Sequence, residues 1–423
     1  MTTAPALNPE VLIIGAGPSG LRAAKELAPK VNGEVLVLER EGQAGGIPRH
    51  SDHLGYGVRD LKRFISGPDY ARRVTNEALD AGATLQTHAM VTGWAGDCRL
   101  EVTTPQGRLQ VEPRAIVLAT GARERARPAR RIPGDRPAGV YTTGQLQNMV
   151  HLHHQAIGSR AVIVGAELVS WSAGLTLRHA GCATVAMVTE HARPDAYRVF
   201  SGPGSLLLRT RVRTRSRVVQ VIGRKRVEAV EVENLDTGQR TRIACDTVVF
   251  TGDWIPDHEL ARFGGLDLDT GTLGPRVDQT LRTSRAGIFA VGNLIHPVDT
   301  ADVAALDGVH VVPAVLDHLN GHDHHRGHGV ALHTDRPLTW MSPNLWVPGA
   351  GSAARQRLLF WSDELIRFPH VEARQGGRLI GSVRVPWPAA PGRVFRVPAS
   401  ILDNIDPSGG DVRVTLRRDK RHG

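Results

Sequence analysis

The sequence predicts an α/β protein: two parallel-sheet domains of three layers each, followed by a small β-rich domain. Three observations predict it. A glycine-rich turn separates two short apolar runs over 11–39. The same strand–turn–helix–strand pattern returns over 161–190. Beyond residue 335, glycine and proline are frequent and strand-like runs dominate.

The first unit starts with Val11-Leu12-Ile13-Ile14, a run suited to a strand buried on both faces. It leads into Gly15-Ala16-Gly17-Pro18-Ser19-Gly20. Leu21, Ala24 and Leu27 follow at helical spacing, then Val35-Leu36-Val37-Leu38 and Glu39. Gly15 permits the tight turn, Gly17 lets backbone approach a pyrophosphate, and Gly20 lets helix and strand pack closely. The helix start offers free N–H groups and a positive dipole end to phosphates. Glu39, with Arg40 beside it, stands where an acid can bond a ribose diol, which fits FAD or NAD without a 2′-phosphate. In register, these parts make a Rossmann-like dinucleotide site.

Later motifs choose between the two. Gly45-Gly46-Ile47 follows the Glu39 strand. Ala115-Ile116-Val117-Leu118-Ala119-Thr120-Gly121 and Val248-Val249-Phe250-Thr251-Gly252-Asp253 look like two copies of one strand motif. Gly287-Ile288-Phe289-Ala290-Val291-Gly292-Asn293 closes the series. Together they resemble the two-dinucleotide-domain flavoproteins of the pyridine nucleotide–disulfide oxidoreductase superfamily over about residues 9–320. The resemblance implies non-covalent FAD. It assigns cofactor contacts to Gly15, Gly17, Pro18, Ser19, Gly20, Glu39, Arg40, Gly45, Gly46, Ile47, Ala119, Thr120, Gly121, Gly292, Asn293, Thr300 and Ala301. The late motif usually ends in Asp; an amide at Asn293 can still bond a ribityl hydroxyl. Thr300 reads as the N-cap of a helix that, in such relatives, points at the flavin. Its hydroxyl is expected to accept from an N–H one turn in, with Asp299 and Asp302 facing away.

The run Gly45 to His53, with Gly55-Tyr56-Gly57 and Gly67-Pro68-Asp69-Tyr70-Ala71, narrows the resemblance. It looks like flavin subunits of amino-acid, opine and hydroxyproline dehydrogenases, cyanide-forming glycine oxidases, and flavoproteins accompanying glycerol-3-phosphate dehydrogenases. A partner subunit or acceptor protein is implied. Many such relatives carry Cys where this chain has Ser51. His50 and His53 follow the glycine doublet; a structural role is favoured for them, with substrate or flavin contact as the alternative.

The second unit has Ala161-Val162-Ile163-Val164 as strand, then Gly165-Ala166-Glu167-Leu168-Val169-Ser170, a helix, and Val185-Ala186-Met187-Val188. Relatives bind NAD(P)H here, but Glu167 and Ser170 replace the second and third glycines. A carboxylate about 4 Å from a phosphate charge is repelled by roughly 4 kcal/mol at an effective dielectric near 20, about a thousandfold in affinity. NAD(P)H use is therefore doubtful.

Arg209, Arg211, Arg213, Arg215 and Arg217 alternate with other residues, which reads as one face of a solvated edge strand or a dock for an acidic partner. His318, His322, His324, His325, His328 and His333 read as a polar linker, with adventitious metal binding as the alternative, and His151, His153 and His154 as a polar helix surface. No metal site is expected.

The bulk numbers set the remaining bounds. The 423 residues suffice for two or three domains, and 41% hydrophobic content for packed cores. A net charge of +10 comes with 4% aromatics and no nucleic-acid motif, so no nucleic-acid partner is expected. No apolar run reaches membrane-helix length, and the first residues lack signal-peptide character, so a cytoplasmic location is expected. Cys98, Cys182 and Cys245 are far apart in sequence, which excludes a Cys-x-x-Cys redox pair.

The expected organisation is an FAD domain of 1–122 plus 275–320, a degenerate NAD(P)-binding-like domain at 123–274, a linker at 321–334 and a β-rich domain at 335–423. The expected function is an FAD-dependent dehydrogenase, or its flavin subunit. It would take hydride from a small amine, amino-acid or polyol-type substrate and pass electrons to a partner acceptor. The alternatives are an NAD(P)H-dependent flavin reductase feeding a carrier protein, and a flavin-holding structural subunit.

Overall fold

The computed structural model describes residues 6–193, 210–322 and 329–417. Arg209, His324, His325 and His328, singled out in the sequence, lie outside these residues.

The first apolar runs form a parallel five-stranded sheet in the order Ile288–Ala290, Ala115–Leu118, Val11–Ile14, Val35–Leu38, Thr84–Gln86. Every residue of the middle three strands is buried, as unbroken apolar runs require. Helices Pro18–Leu27 and Ala301–His310 pack together in one covering layer. They approach so closely that a Cβ at Gly308 would lie 2.1 Å from the Ser19 carbonyl oxygen. An antiparallel meander, Met90–Trp94, Leu100–Thr104 and Gly107–Val111, adds Leu100, Val102 and Val111 to the same core.

The second unit repeats this plan. Its parallel sheet runs Val140–Thr142, Thr247–Phe250, Arg160–Val164, Ala183–Val188, Val212–Arg213. One face packs on helix Leu168–His179 through Trp171 and Leu177. The other packs on the meander Ser216–Ile222, Ala229–Asn234 and Arg240–Ala244 through Val218, Val221 and Val230. A two-stranded antiparallel link, Ala122–Glu124 with Trp254–Pro256, joins the two units.

The arginine alternation is not one strand face. Val212–Arg213 ends the parallel sheet, and Ser216–Ile222 begins the meander. Between them Arg215 adopts φ 49°, which turns the chain from one sheet to the other. Arg213, Arg215 and Arg217 then meet different partners: Thr241, Asp236 and Glu233.

The C-terminal part is β-rich. One sheet runs Leu345–Trp346, Val330–Thr334, Val412–Leu416, His370–Gln375, Arg378–Arg384; a second pairs Leu338–Ser342, Arg357–Ser362 and Phe395–Pro398. Val330–Thr334, at the end of the expected linker, is instead a strand, because Val330 and Leu332 alternate into the core. His333 on it bonds Asp411, and His318 lies on helix Val312–Leu319, bonded to the Arg114 carbonyl. No helix of the described residues is long and apolar enough to cross a membrane.

Buried polar bonds fasten this part to the first unit. The Gln279 amide pairs with the Val347 backbone at 2.6 and 3.0 Å. Asp307, on helix Ala301–His310, bonds His296 and accepts from Arg355 at 2.8 Å. Burial alone would raise the Asp307 carboxyl; His296 and Arg355 outweigh it and hold it well below the ordinary carboxylate value. Its contribution is therefore complete above about pH 4, its ordinary pKa range, and is lost only as pH falls through the depressed value. Asp307→Ala leaves Arg355 and His296 without their carboxylate. The expected cost is about 3–5 kcal/mol in urea unfolding at neutral pH, and a midpoint equal to that of the unmodified protein would contradict it.

Candidate functional site

The turn after Val11–Ile14 delivers helix Pro18–Leu27 with Gly17 as its N-cap and no side-chain capping bond, so its first N–H groups are free for an outside acceptor. A Cβ at Gly20 would lie 2.1 Å from the Gly15 carbonyl oxygen, so this position must be glycine for the helix to pack. Gly17 differs. A Cβ there would meet nothing within 4 Å, and its φ of −84° suits any residue. The protein itself does not require glycine at 17; the space beside it does.

That space belongs to a cavity of about 2190 Å³. Gly15, Gly17, Pro18, Ser19, Glu39, Arg40, Gly46 and Ile47 line it, as do Ala119, Thr120, Gly121, Asn293, Thr300 and Ala301. Gly20, Gly45 and Gly292 stand behind the lining. A Cβ at Gly45 would press on Ala71 and one at Gly292 on Ser19, so these three serve packing. Glu39 accepts from the Ala16 and Glu41 N–H groups, each at 2.9 Å. Each of its carboxylate oxygens keeps a further lone pair for a diol.

Two expected contacts take other forms. The Asn293 amide spends both ends on the Asp299 backbone, donating to its carbonyl at 2.9 Å and accepting from its N–H at 3.2 Å. A carboxylate could not donate to that carbonyl, which accounts for the amide. Thr300 is the N-cap of helix Ala301–His310, but its hydroxyl accepts from no backbone N–H; it donates to Asp302 at 2.5 Å. Asp302 satisfies the helix start instead, accepting from Val303 N–H. Asp299 and Asp302 both belong to the cavity lining, and each carboxylate pairs with an arginine, Arg396 at 2.7 Å and Arg59 at 3.5 Å.

The inner wall combines both units. Gln147 Nε2 donates to Ser51 at 3.3 Å and to Ser172 at 2.8 Å. Ser51 lies 3.1 Å from His53 Nε2, and His53 Nδ1 lies 2.8 Å from the Leu54 carbonyl. That carbonyl can only accept, so Nδ1 carries a proton, and the neutral ring with that tautomer presents Nε2 as an acceptor to Ser51. His50 is buried here, and burial, followed by the Arg49 charge, lowers its pKa to about 4. It is neutral at pH 7. Burial raises the Tyr56 phenol to about 12. Trp361, Arg393 and Arg396 of the C-terminal part also line the cavity. Gln147, Ser172 and these three residues carry no sequence signal, since they meet the turn only through contacts distant along the chain.

Toward the second unit the cavity reaches Gly165, Glu167, Thr251 and Gly252. None of Cys98, Cys182 or Cys245 lines it. Burial pushes the Cys182 and Cys245 thiols to about 11, so both stay protonated.

The match to the pyridine nucleotide-disulphide oxidoreductase family model covers residues 9–308. The chain belongs to that family. It is therefore an FAD-containing oxidoreductase, and the open space at Gly17 fits a bound pyrophosphate. An opine oxidase subunit of Agrobacterium tumefaciens is 28% identical over 67% of this chain and 61% of its own length. This chain thus spans about six-tenths of that relative. Thioredoxin reductase of Treponema pallidum is 28% identical over 73% of this chain and 98% of its own. Among solved structures, Lactococcus lactis thioredoxin reductase shares the fold at 20% identity, with a TM-score of 0.62 over 74% of this chain and 99% of its own.

Two outcomes follow. A Cβ at Gly17 meets no protein atom, so Gly17→Leu projects its side chain into the open space. It should abolish flavin absorbance after desalting while circular dichroism stays unchanged; a fully yellow variant would sink the assignment. The second concerns Glu124, on the link between the units. Burial raises its carboxyl to about 7, against the opposing pull of the Gly144 N–H. Between its ordinary value near 4.5 and 7 the folded protein holds a proton the unfolded chain has lost. Stability therefore declines across that window and levels off above it. Glu124→Gln should flatten this slope, a change of about 3 kcal/mol between pH 4 and pH 8, read from urea midpoints.

Proposed function

We propose that this flavoprotein is a dehydrogenase that oxidises a small amine, amino-acid or polyol-type substrate and delivers electrons to a separate acceptor. The observation that carries this reading is the cavity wall. It offers hydroxyl, amide and imidazole groups and, among the described residues, no thiol, so dithiol–disulfide exchange has no protein group to use. The likeness to an opine oxidase supports an amine or amino-acid donor.

Gly17, the helix start behind it and Glu39 would hold the FAD pyrophosphate and ribose. When bound, the flavin supplies the hydride acceptor. The chain's own groups handle the proton. His53, its tautomer set by the Leu54 carbonyl, holds the Ser51 proton and gives that hydroxyl basic character toward a substrate N–H or O–H. Gln147 also donates to Ser51 and helps orient it. His50, neutral and buried, adds an uncharged polar group that does not repel an ammonium.

A second reading, an NAD(P)H-dependent reductase, is favoured by the continuity of the cavity into the second parallel-sheet unit and by the thioredoxin reductase likeness. Anaerobic mixing separates the two. A member of a panel of amino acids, opines and polyol phosphates should bleach the flavin, and His53→Gln should slow that bleaching by about 10²–10⁴-fold. Rapid bleaching by NADH or NADPH, with none from the panel, would replace the dehydrogenase with the reductase.

A further inference from the structure

The two departures from the second glycine motif are bonded into one network. Glu167 is the N-cap of the twelve-residue helix Leu168–His179, and its side chain folds back over the turn. One carboxylate oxygen accepts from the Ala166 N–H at 2.8 Å. The other accepts from the Thr251 hydroxyl at 2.6 Å. Having donated to Glu167, Thr251 accepts from Ser170, 2.7 Å away and fully buried. The carboxylate lies directly on both glycine turns: a Cβ at Gly165 would be 2.7 Å from it, and one at Gly252 2.4 Å. Arg130 braces the same loop, donating to the Thr251 and Gly252 carbonyls at 2.9 and 2.6 Å.

The carboxylate sits between Gly165 and Gly252, at the ends of two neighbouring parallel strands and beside a helix start, and that gap is where a dinucleotide pyrophosphate runs in this kind of sheet. Here the anion is the protein's own. We infer that Glu167 is a specificity-determining residue: its carboxylate fills the second pyrophosphate seat and thereby denies the flavin cavity to pyridine dinucleotides. Ser170 and Thr251 fasten it there. Simple decay of a nucleotide site would leave a loose or collapsed turn. A chain of bonds through both replaced glycine positions keeps the turn, the helix start and the loop after Phe250 in place without a ligand. An internal carboxylate needs no encounter from solution, so it competes with a free dinucleotide at a large effective concentration. The inference rests on the dehydrogenase reading and deepens it by excluding one class of donor.

The test is calorimetric titration of the FAD-loaded protein with inorganic pyrophosphate and with NADH. The unmodified protein should give no saturable binding of either. Glu167→Gly and Glu167→Ala should bind pyrophosphate and NADH at least tenfold more tightly, with flavin absorbance and melting temperature confirming the fold. Saturable binding by the unmodified protein overturns the inference even if both variants misfold. A folded variant that gains no affinity overturns it as well. Because pyrophosphate binding needs no turnover, the result is independent of the donor panel. A protein that binds pyrophosphate, yet is still bleached by an amine and not by NADH, would refute the seat assignment and leave the dehydrogenase standing.

Discussion

The architecture depends on how closely helix Pro18–Leu27 lies on its sheet. The absence of a side chain at Gly20 lets the helix backbone come against the Gly15 carbonyl, a separation a Cβ would reduce to 2.1 Å. From that contact the helix start is aimed past Gly17 into the cavity rather than along the sheet. The same helix then accepts Ala301–His310 at the Gly308 crossing. Two helices and the central strands are thus set by contacts that tolerate no added atoms, and the positions of Glu39, Thr120 and Thr300 around the cavity follow from them.

The C-terminal part acts on this frame through charge. Arg396 binds Asp299 just before helix Ala301–His310, and Arg355 binds Asp307 in its later turns. One helix is therefore held at two points by one domain. The acids near its start would oppose the positive end of the helix dipole in the cavity if they stood alone. Arg396 and Arg59 offset them. Many other arginines are similarly engaged, as with Arg22 on Glu77 and Arg217 on Glu233. The net charge of +10 thus says little about the cavity, where paired groups dominate.

The legible parts of the sequence are those where a local pattern has one physical meaning. Unbroken apolar runs such as Val11-Leu12-Ile13-Ile14 mark strands buried on both faces, and glycines ending such a run mark the turn above them. The arginine alternation misleads because period two holds over any extended segment. It does not reveal that the chain changes sheets, and Arg215 sits at that change. Thr300 is legible as an N-cap but not as a donor, since Asp302 competes for its hydroxyl two residues later. The inner wall is hardest to read. Gln147 reaches Ser51 across 96 residues of chain, and Ser172 joins them from a helix whose periodicity signals only burial. A glutamine in a short helix, Thr143–Gln147, carries no mark of such a role. Glu124 is silent for a similar reason: only the packing of the two units buries it.

The two glycine turns show how one fold can be kept while its binding changes. At the first, the second glycine position is Gly17, and beyond it lies empty space that only an outside group can fill. At the second, the corresponding residue is Glu167, and its carboxylate occupies the space over Gly165 and Gly252. Both turns must satisfy free N–H groups at a helix start. At each turn the N–H just ahead of the helix goes to a carboxylate of the protein, Ala16 to Glu39 and Ala166 to Glu167; the difference is that the Glu167 carboxylate lies over the turn itself. A polar group left unpaired on leaving water costs free energy. A side chain that carries its own carboxylate to such a turn supplies an acceptor from within. It does so with the same sign of charge as a pyrophosphate. A negative charge beside the helix start suits the positive end of its dipole, and the same helix contributes Trp171, Ser172 and Leu175 to the cavity wall.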